Sequence, residues 1–262
     1  MSAKKASLKL SFKLKAGILV GLVSMKIQAQ ALEPSSHDAL RKRVRTAIER
    51  IRIGRPTKSV IMVGRSGVGK TALLNRFFHE VEHSQVQCVL VNAAKSRSLP
   101  SMLTPALHLA LLRMSAVDAA ETSAAQGLRA LANFSRTLKA KFADIEIELD
   151  YEPEAGLADN GDLDSDLTAL LVQIGTAAKA ADTALVVFMD DMQRIEEAQL
   201  AALISALHRL SQLALPVILV GAGLPQIRSR AGNARSYAER MFEYPEIEPL
   251  DTTRLKAFKQ GK

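Results

Sequence analysis

The stretch that most constrains this chain is Gly64-Arg65-Ser66-Gly67-Val68-Gly69-Lys70-Thr71, which reads G-x-x-x-x-G-K-T. Ahead of it, Ser59-Val60-Ile61-Met62-Val63 is apolar and β-branched, so a buried strand is expected there. Behind it, residues 72–78 open a helix. Strand, glycine-rich turn and helix form the context this pattern needs. Glycines let backbone N–H groups turn inward on a phosphate, and the helix N-terminus adds the positive end of its dipole. In such a turn Lys70 reaches the β- and γ-phosphates of a nucleotide, and the Thr71 hydroxyl can ligate Mg²⁺.

A second motif answers the first. Ala184-Leu185-Val186-Val187-Phe188-Met189-Asp190-Asp191 is an apolar run ending in two acids. Parallel sheets bind ligands at the C-terminal edge of their strands, so a carboxylate at that end faces the phosphate loop. Asp190 is expected to hold Mg²⁺ through water. Asp191 is expected to orient or deprotonate an attacking water.

The remaining pattern fills in an α/β fold. A helix from Ser36 or Asp38 to about Ile53 puts Leu40, Val44, Ala47, Ile48 and Ile51 on one face. Further strands are expected at 86–91, 216–221 and 246–250, with a half-exposed strand at 144–151, where apolar and acidic residues alternate. Helices are expected over 100–140 (two of them), 163–181, 195–213 and 234–242. Five buried strands alternating with helices predict a parallel five-stranded sheet with helices on both faces. Residues 142–178 carry ten acids and no Lys or Arg. They lack calcium-loop spacing, so 144–166 reads as a solvated acidic insertion. The domain reading is an extension at 1–35, a core at 36–250 and a short tail at 251–262.

Charge is uneven. Residues 1–58 hold 14 Lys+Arg against 3 Asp+Glu, a net +11 against +8 for the whole chain, which leaves −3 for the rest. A nucleic-acid or anionic-membrane contact is one reading of that excess, and a solvated surface is the other. Phe12 is the one aromatic residue among these charges, which gives base stacking little to use. Cys88, the single cysteine, lies in an apolar run and is expected in the core; no disulfide framework can form. The basic start, the apolar run 16–25 and Ala29-Gln30-Ala31 have the outline of a secretory signal. Ten residues are too few to span a bilayer. A cytoplasmic place is expected, because a nucleotide-using domain needs a nucleotide supply.

The phosphate loop, Met-Asp-Asp-Met-Gln at 189–193, Leu-Val-Gly-Ala-Gly-Leu-Pro at 219–225 and Tyr-Ala-Glu-Arg-Met-Phe at 237–242 ahead of Ile-Glu-Pro-Leu at 247–250 resemble bacterial AAA+ ATPases of the origin-recognition type. The likeness runs over residues 38–252. It implies strand order 5-1-4-3-2 in a P-loop NTPase fold, and ATP with Mg²⁺. It also implies a homo-oligomer, or a partner protein, in which an arginine of one subunit completes its neighbour's site. Arg240 is the candidate for that arginine, with Arg235 and Arg230 as rivals. Three departures stand out. Asp191 replaces the family's usual Glu. Gly221 ends the fourth strand where a polar water-sensing residue is usual, and Gln193 is a candidate substitute. Residues 251–262 leave room for only the start of the family's helical lid. The expected activity is slow hydrolysis of ATP to ADP and phosphate, as a nucleotide-dependent switch or motor for a partner. The alternatives are a non-hydrolysing nucleotide-binding module and a DNA-associated ATPase using Arg41, Arg43 and Arg45 of the basic helix.

Overall fold

Every position of three strands is buried: β1 (Ser59–Val63), β3 (Leu185–Asp190) and β4 (Val217–Gly223). A strand hidden on both faces must be apolar along its whole length, which is why these runs were legible. In a computed structural model of the chain, residues 34–147, 149–152 and 154–248 are described. The expectations for residues 1–33 and 249–262, the signal-like outline and the start of a lid among them, lie outside these. Ala39–Pro249 forms one compact unit. Of the other unit, only residues 34–38 are described, and they begin the first helix.

The elements in chain order are α1 (Pro34–Arg52), β1, α2 (Lys70–Glu82), β2 (Gln87–Asn92), α3 (Leu99–Ser115), α4 (Glu121–Leu138), α5 (Leu163–Ala180), β3, α6 (Glu197–Gln212), β4, α7 (Ile227–Ala234), α8 (Ala238–Met241) and β5 (Phe242–Glu243). Three-residue 3₁₀ turns lie at Asp118–Ala120 and Met192–Arg194. All strand pairs are parallel, in the order β2-β3-β4-β1-β5. This is the expected 5-1-4-3-2 order of the P-loop NTPase α/β fold.

Successive side chains of a strand point to opposite faces, and the two cores divide accordingly. Ile61, Val63, Val89, Val91, Leu185, Val187, Met189, Val217 and Leu219 face α3–α6. Val60, Met62, Cys88, Val186, Phe188, Ile218 and Val220 face α1 and α2. The predicted face of α1 is the buried one: Leu40, Val44, Ala47, Ile48 and Ile51. Among the described residues, no helix is long and apolar enough to cross a membrane.

Four expectations are corrected. The described residues of 144–151 form no strand. The alternation is real, since Ile145 is buried and Ile147, Leu149 and Tyr151 pack on the core. The backbone, however, lies beside helices rather than a sheet edge: Ser135 Oγ of α4 donates to the Ile147 carbonyl. Asp144 accepts from Ser98 N, Ser98 Oγ and Ser101 Oγ at the start of α3. The neighbouring acidic segment is not wholly solvated either. Asp166 is completely buried and accepts from Asn160 and Gly161.

Of the expected helix at 234–242, only Ala234, the last residue of α7, and Ala238–Met241, which form α8, are helical, and 235–237 part the two. Arg235 leaves the helical path because its guanidinium binds Ser205 Oγ and the Asp164 carboxylate. The fifth strand begins at Phe242, four residues earlier than expected, and pairs with Ser59 and Val60. A bridge at Glu246 to Val63 continues it past Pro245.

Candidate functional site

The C-terminal ends of β1, β4 and β3 lie side by side, with Val63 opposite Gly223 and Met189 opposite Gly221. The phosphate loop leaves β1 at this edge and the acid pair leaves β3. Gly67 and Gly69 hold φ of +81° and +95°, a left-handed conformation in which a side chain is strained. Gly64 is required for a different reason. A Cβ there would stand 2.5 Å from the Ile247 carbonyl oxygen.

The loop delivers the chain into α2 with its first N–H groups open. Gly69 supplies no side-chain cap, and the first turn holds no acid. By contrast, Ser98 caps α3 and Asp162 caps α5 through their side chains. An uncapped helix N-terminus leaves its first N–H groups open to an anion. Lys70, only 8% exposed, donates to the carbonyls of Gly64 (2.9 Å) and Arg65 (2.7 Å). Burial lowers the pKa of its amine, while the carboxylates of Asp190 and Asp191 pull it back up. The acid pair therefore lies near enough for its charge to act on this amine. Val68 is buried in the α1–α2 core, while Arg65, Ser66, Gly67 and Thr71 are exposed.

Asp190 ends β3 and is 6% exposed; its Oδ1 accepts the Asp191 N–H at 2.8 Å. Asp191 takes a left-handed φ of 52°, which is uncommon outside glycine and concentrates at functional sites. Its Oδ1 accepts from Gln193 Nε2 (2.9 Å) and its Oδ2 pairs with Arg194 (3.1 Å). No group of three or more His, Cys, Asp or Glu able to hold a metal occurs among the described residues. The donors at hand, the Thr71 hydroxyl and the Asp190 carboxylate, are hard oxygens. Mg²⁺ is commonly held by one or two protein oxygens together with substrate phosphates, so this set fits it.

The three arginine rivals separate cleanly. Arg230 donates to the carbonyls of Gln193 and Ile195, at 2.6 Å for the latter. Arg235 is tied to Ser205 and Asp164. Arg240, on α8, is exposed, and its side chain makes no hydrogen bond or ion pair among the described residues. On the basic helix, Arg41 pairs with Glu80, Arg43 with Glu243 and Arg45 with Glu49.

Two features escaped the sequence. The backbone of 245–247 flanks the phosphate loop: Val63 N donates to the Pro245 carbonyl, and Ile247 N to the Val63 carbonyl. No residue type marks such a main-chain contact. The Arg194–Asp191 pair did carry a signal, its i,i+3 spacing. Gly221 also finds its reason here. A Cβ at 221 would lie 2.2 Å from Met192 Sδ, so that thioether fills the place a side chain on β4 would take.

The profile of the AAA ATPase domain family matches residues 37–220. No curated protein is similar in sequence to the chain. Among solved structures, Cdc6p from Pyrobaculum aerophilum is 13% identical, with a TM-score of 0.49, covering 87% of this chain and 49% of that one. AMPPCP-bound DnaA from Aquifex aeolicus is 15% identical, with a TM-score of 0.43, covering 87% of this chain and 52% of that one. The chain thus spans about half the length of these two proteins. With the family profile running from α1 through the phosphate loop and the acid pair into β4, the chain belongs to the AAA ATPase domain family.

Proposed function

We propose that this chain binds ATP with Mg²⁺ at residues 64–71 and hydrolyses it slowly to ADP and phosphate, its nucleotide state controlling a partner. The observation that carries the reading is that the phosphate loop and the Asp190–Asp191 pair leave their strands at one edge of the sheet, beside the uncapped start of α2. The loop N–H groups would hold the phosphates, and Lys70 would exchange its two carbonyl partners for β- and γ-phosphate oxygens. Thr71 and Asp190 would hold Mg²⁺, which supplies positive charge across the phosphate oxygens. Asp191 would direct the attacking water or take its proton. Arg240 is the arginine free to reach a neighbouring copy's γ-phosphate and stabilise its charge.

Binding without turnover has one observation in its favour: both oxygens of the Asp191 carboxylate are already engaged. One assay decides between the readings. ATP titration and phosphate release would be measured on the full chain beside Lys70→Ala and Arg240→Ala. Loss of binding in the lysine variant, with turnover that rises with protein concentration and collapses in the arginine variant, is expected. Tight ATP binding by Lys70→Ala would overturn the site, and binding with no turnover in the wild type would overturn hydrolysis.

A further inference from the structure

The segment after Asp190 makes more bonds than a turn requires. Gln193 Nε2 donates to Asp191 Oδ1 at 2.9 Å, and Gln193 Oε1 accepts the Leu224 N–H at 3.0 Å. Partner chemistry fixes which way this amide faces. A main-chain N–H can only donate, so the atom beside Leu224 is the oxygen and the nitrogen turns to Asp191. The main chain of Gln193 is held as well, because Arg230 donates to its carbonyl and to that of Ile195. Gly223 leaves room for the amide: a Cβ there would stand 3.1 Å from Oε1.

The second oxygen of Asp191 has a looser partner. Arg194 is exposed, with 46% of its side chain accessible, and an exposed pair of this kind contributes little. A carboxylate rotates in a broad well about its last torsion. Of its two contacts, the one from the half-buried, twice-anchored Gln193 can set that rotation. From these bonds we infer that Gln193 is a positioning residue. It fixes the Asp191 carboxylate and couples it to the end of β4, doing from the acid's own turn what no side chain at 221 can do. The inference rests on the reading of Asp191 as the group that directs water.

Two substitutions separate positioning from support. Gln193→Ala removes both bonds. Gln193→Glu keeps an acceptor for the Leu224 N–H, so it keeps the structural tie, but it has no donor for Asp191. Both are expected to lower kcat roughly tenfold to a hundredfold and to leave the ATP dissociation constant near the wild-type value. The melting temperature is expected to fall somewhat in each, through the freed Leu224 N–H in Gln193→Ala and through the two facing carboxylates in Gln193→Glu. Gly223→Ala, which crowds Oε1 while leaving Gln193 in place, is expected to lower kcat in the same direction. Wild-type turnover with Gln193→Glu at wild-type kcat would overturn the positioning role alone, since support of Leu224 would then suffice. Loss of ATP binding in Gln193→Glu would overturn it too. A wild type that binds ATP without turning it over would overturn the reading of Asp191 and the positioning role together.

Discussion

Gly221 gives the sharpest test of how fold and site are joined. It sits in the middle of the sheet, opposite Ile61 on one side and Met189 on the other. In Gly221→Ala the new methyl would meet Met192 Sδ at 2.2 Å, with Met192 Cγ and Ile61 Cγ1 each at 3.5 Å. Met192 is fully buried, so its thioether has no open space to enter. Overpacking of this kind costs about 1–3 kcal/mol. For a domain of this size each kcal/mol lowers Tm by about 2–4 °C. A fall of about 2–12 °C is expected, read by thermal melts and by a lower urea midpoint at unchanged m. Met192→Ala alone should cost about 2–5 kcal/mol through its cavity. If the clash is the cause, the double variant should be more stable than the sum of the single effects by about 1 kcal/mol or more. An additive double variant, or a Gly221→Ala protein as stable as the wild type, would refute the reasoning.

Three further outcomes follow from the same contacts. Gly64→Ala should abolish ATP binding and destabilise the fold, because its methyl meets main-chain oxygen of Ile247 at 2.5 Å; an unchanged titration would refute this. Burial pushes the Asp144 carboxyl up, but hydrogen bonds from Ser101 and Ser98 outweigh it and hold it below the ordinary value. Its contribution is therefore present above the unfolded pKa of about 3.9 and lost as pH falls through the lower folded value. Asp144→Asn should cost about 1 kcal/mol at pH 7, and urea titrations should show that gap closing below pH 4. Burial raises the Cys88 thiol to about 11, so alkylation at pH 7.5 should proceed only as fast as the protein unfolds; rapid labelling of the native chain would contradict its place in the core.

What the sequence announced was what local chemistry dictates. The phosphate loop needs fixed residues at fixed spacing, and β1, β3 and β4 need unbroken apolar runs because both their faces are covered. What it hid depends on partners far along the chain. Residues 144–151 alternate like a strand, yet no strand lies beside them, and α3 and α4 take their place. β5 is two residues long, and its start is set by register against Ser59 rather than by its own composition. The break at Arg235 follows from Asp164 and Ser205, which no helical period can reveal. At the candidate site, Lys70, Asp190 and Asp191 stood out by their spacing within two apolar-strand motifs, which the sheet brings to one edge. The absence of a polar residue at Gly221 was legible too, but its cause, the sulfur of Met192, was not.

The position of β1 between β4 and β5 sets an order of events in the making of the protein. The strand that ends in the phosphate loop is among the first parts of the unit to be synthesised, yet its neighbours arrive late. Ser59 Oγ accepts from Leu219 N, 160 residues away, and the wall beside Gly64 is the carbonyl of Ile247. Contacts of such separation form slowly, since the intervening chain must first be gathered in. A nascent chain that has emitted residues 64–71 thus carries the motif without its frame. At the site proposed above, nucleotide capture would come late, once the chain has returned through β4 and β5. A ligand that binds only this finished form would add its binding free energy to the folded state.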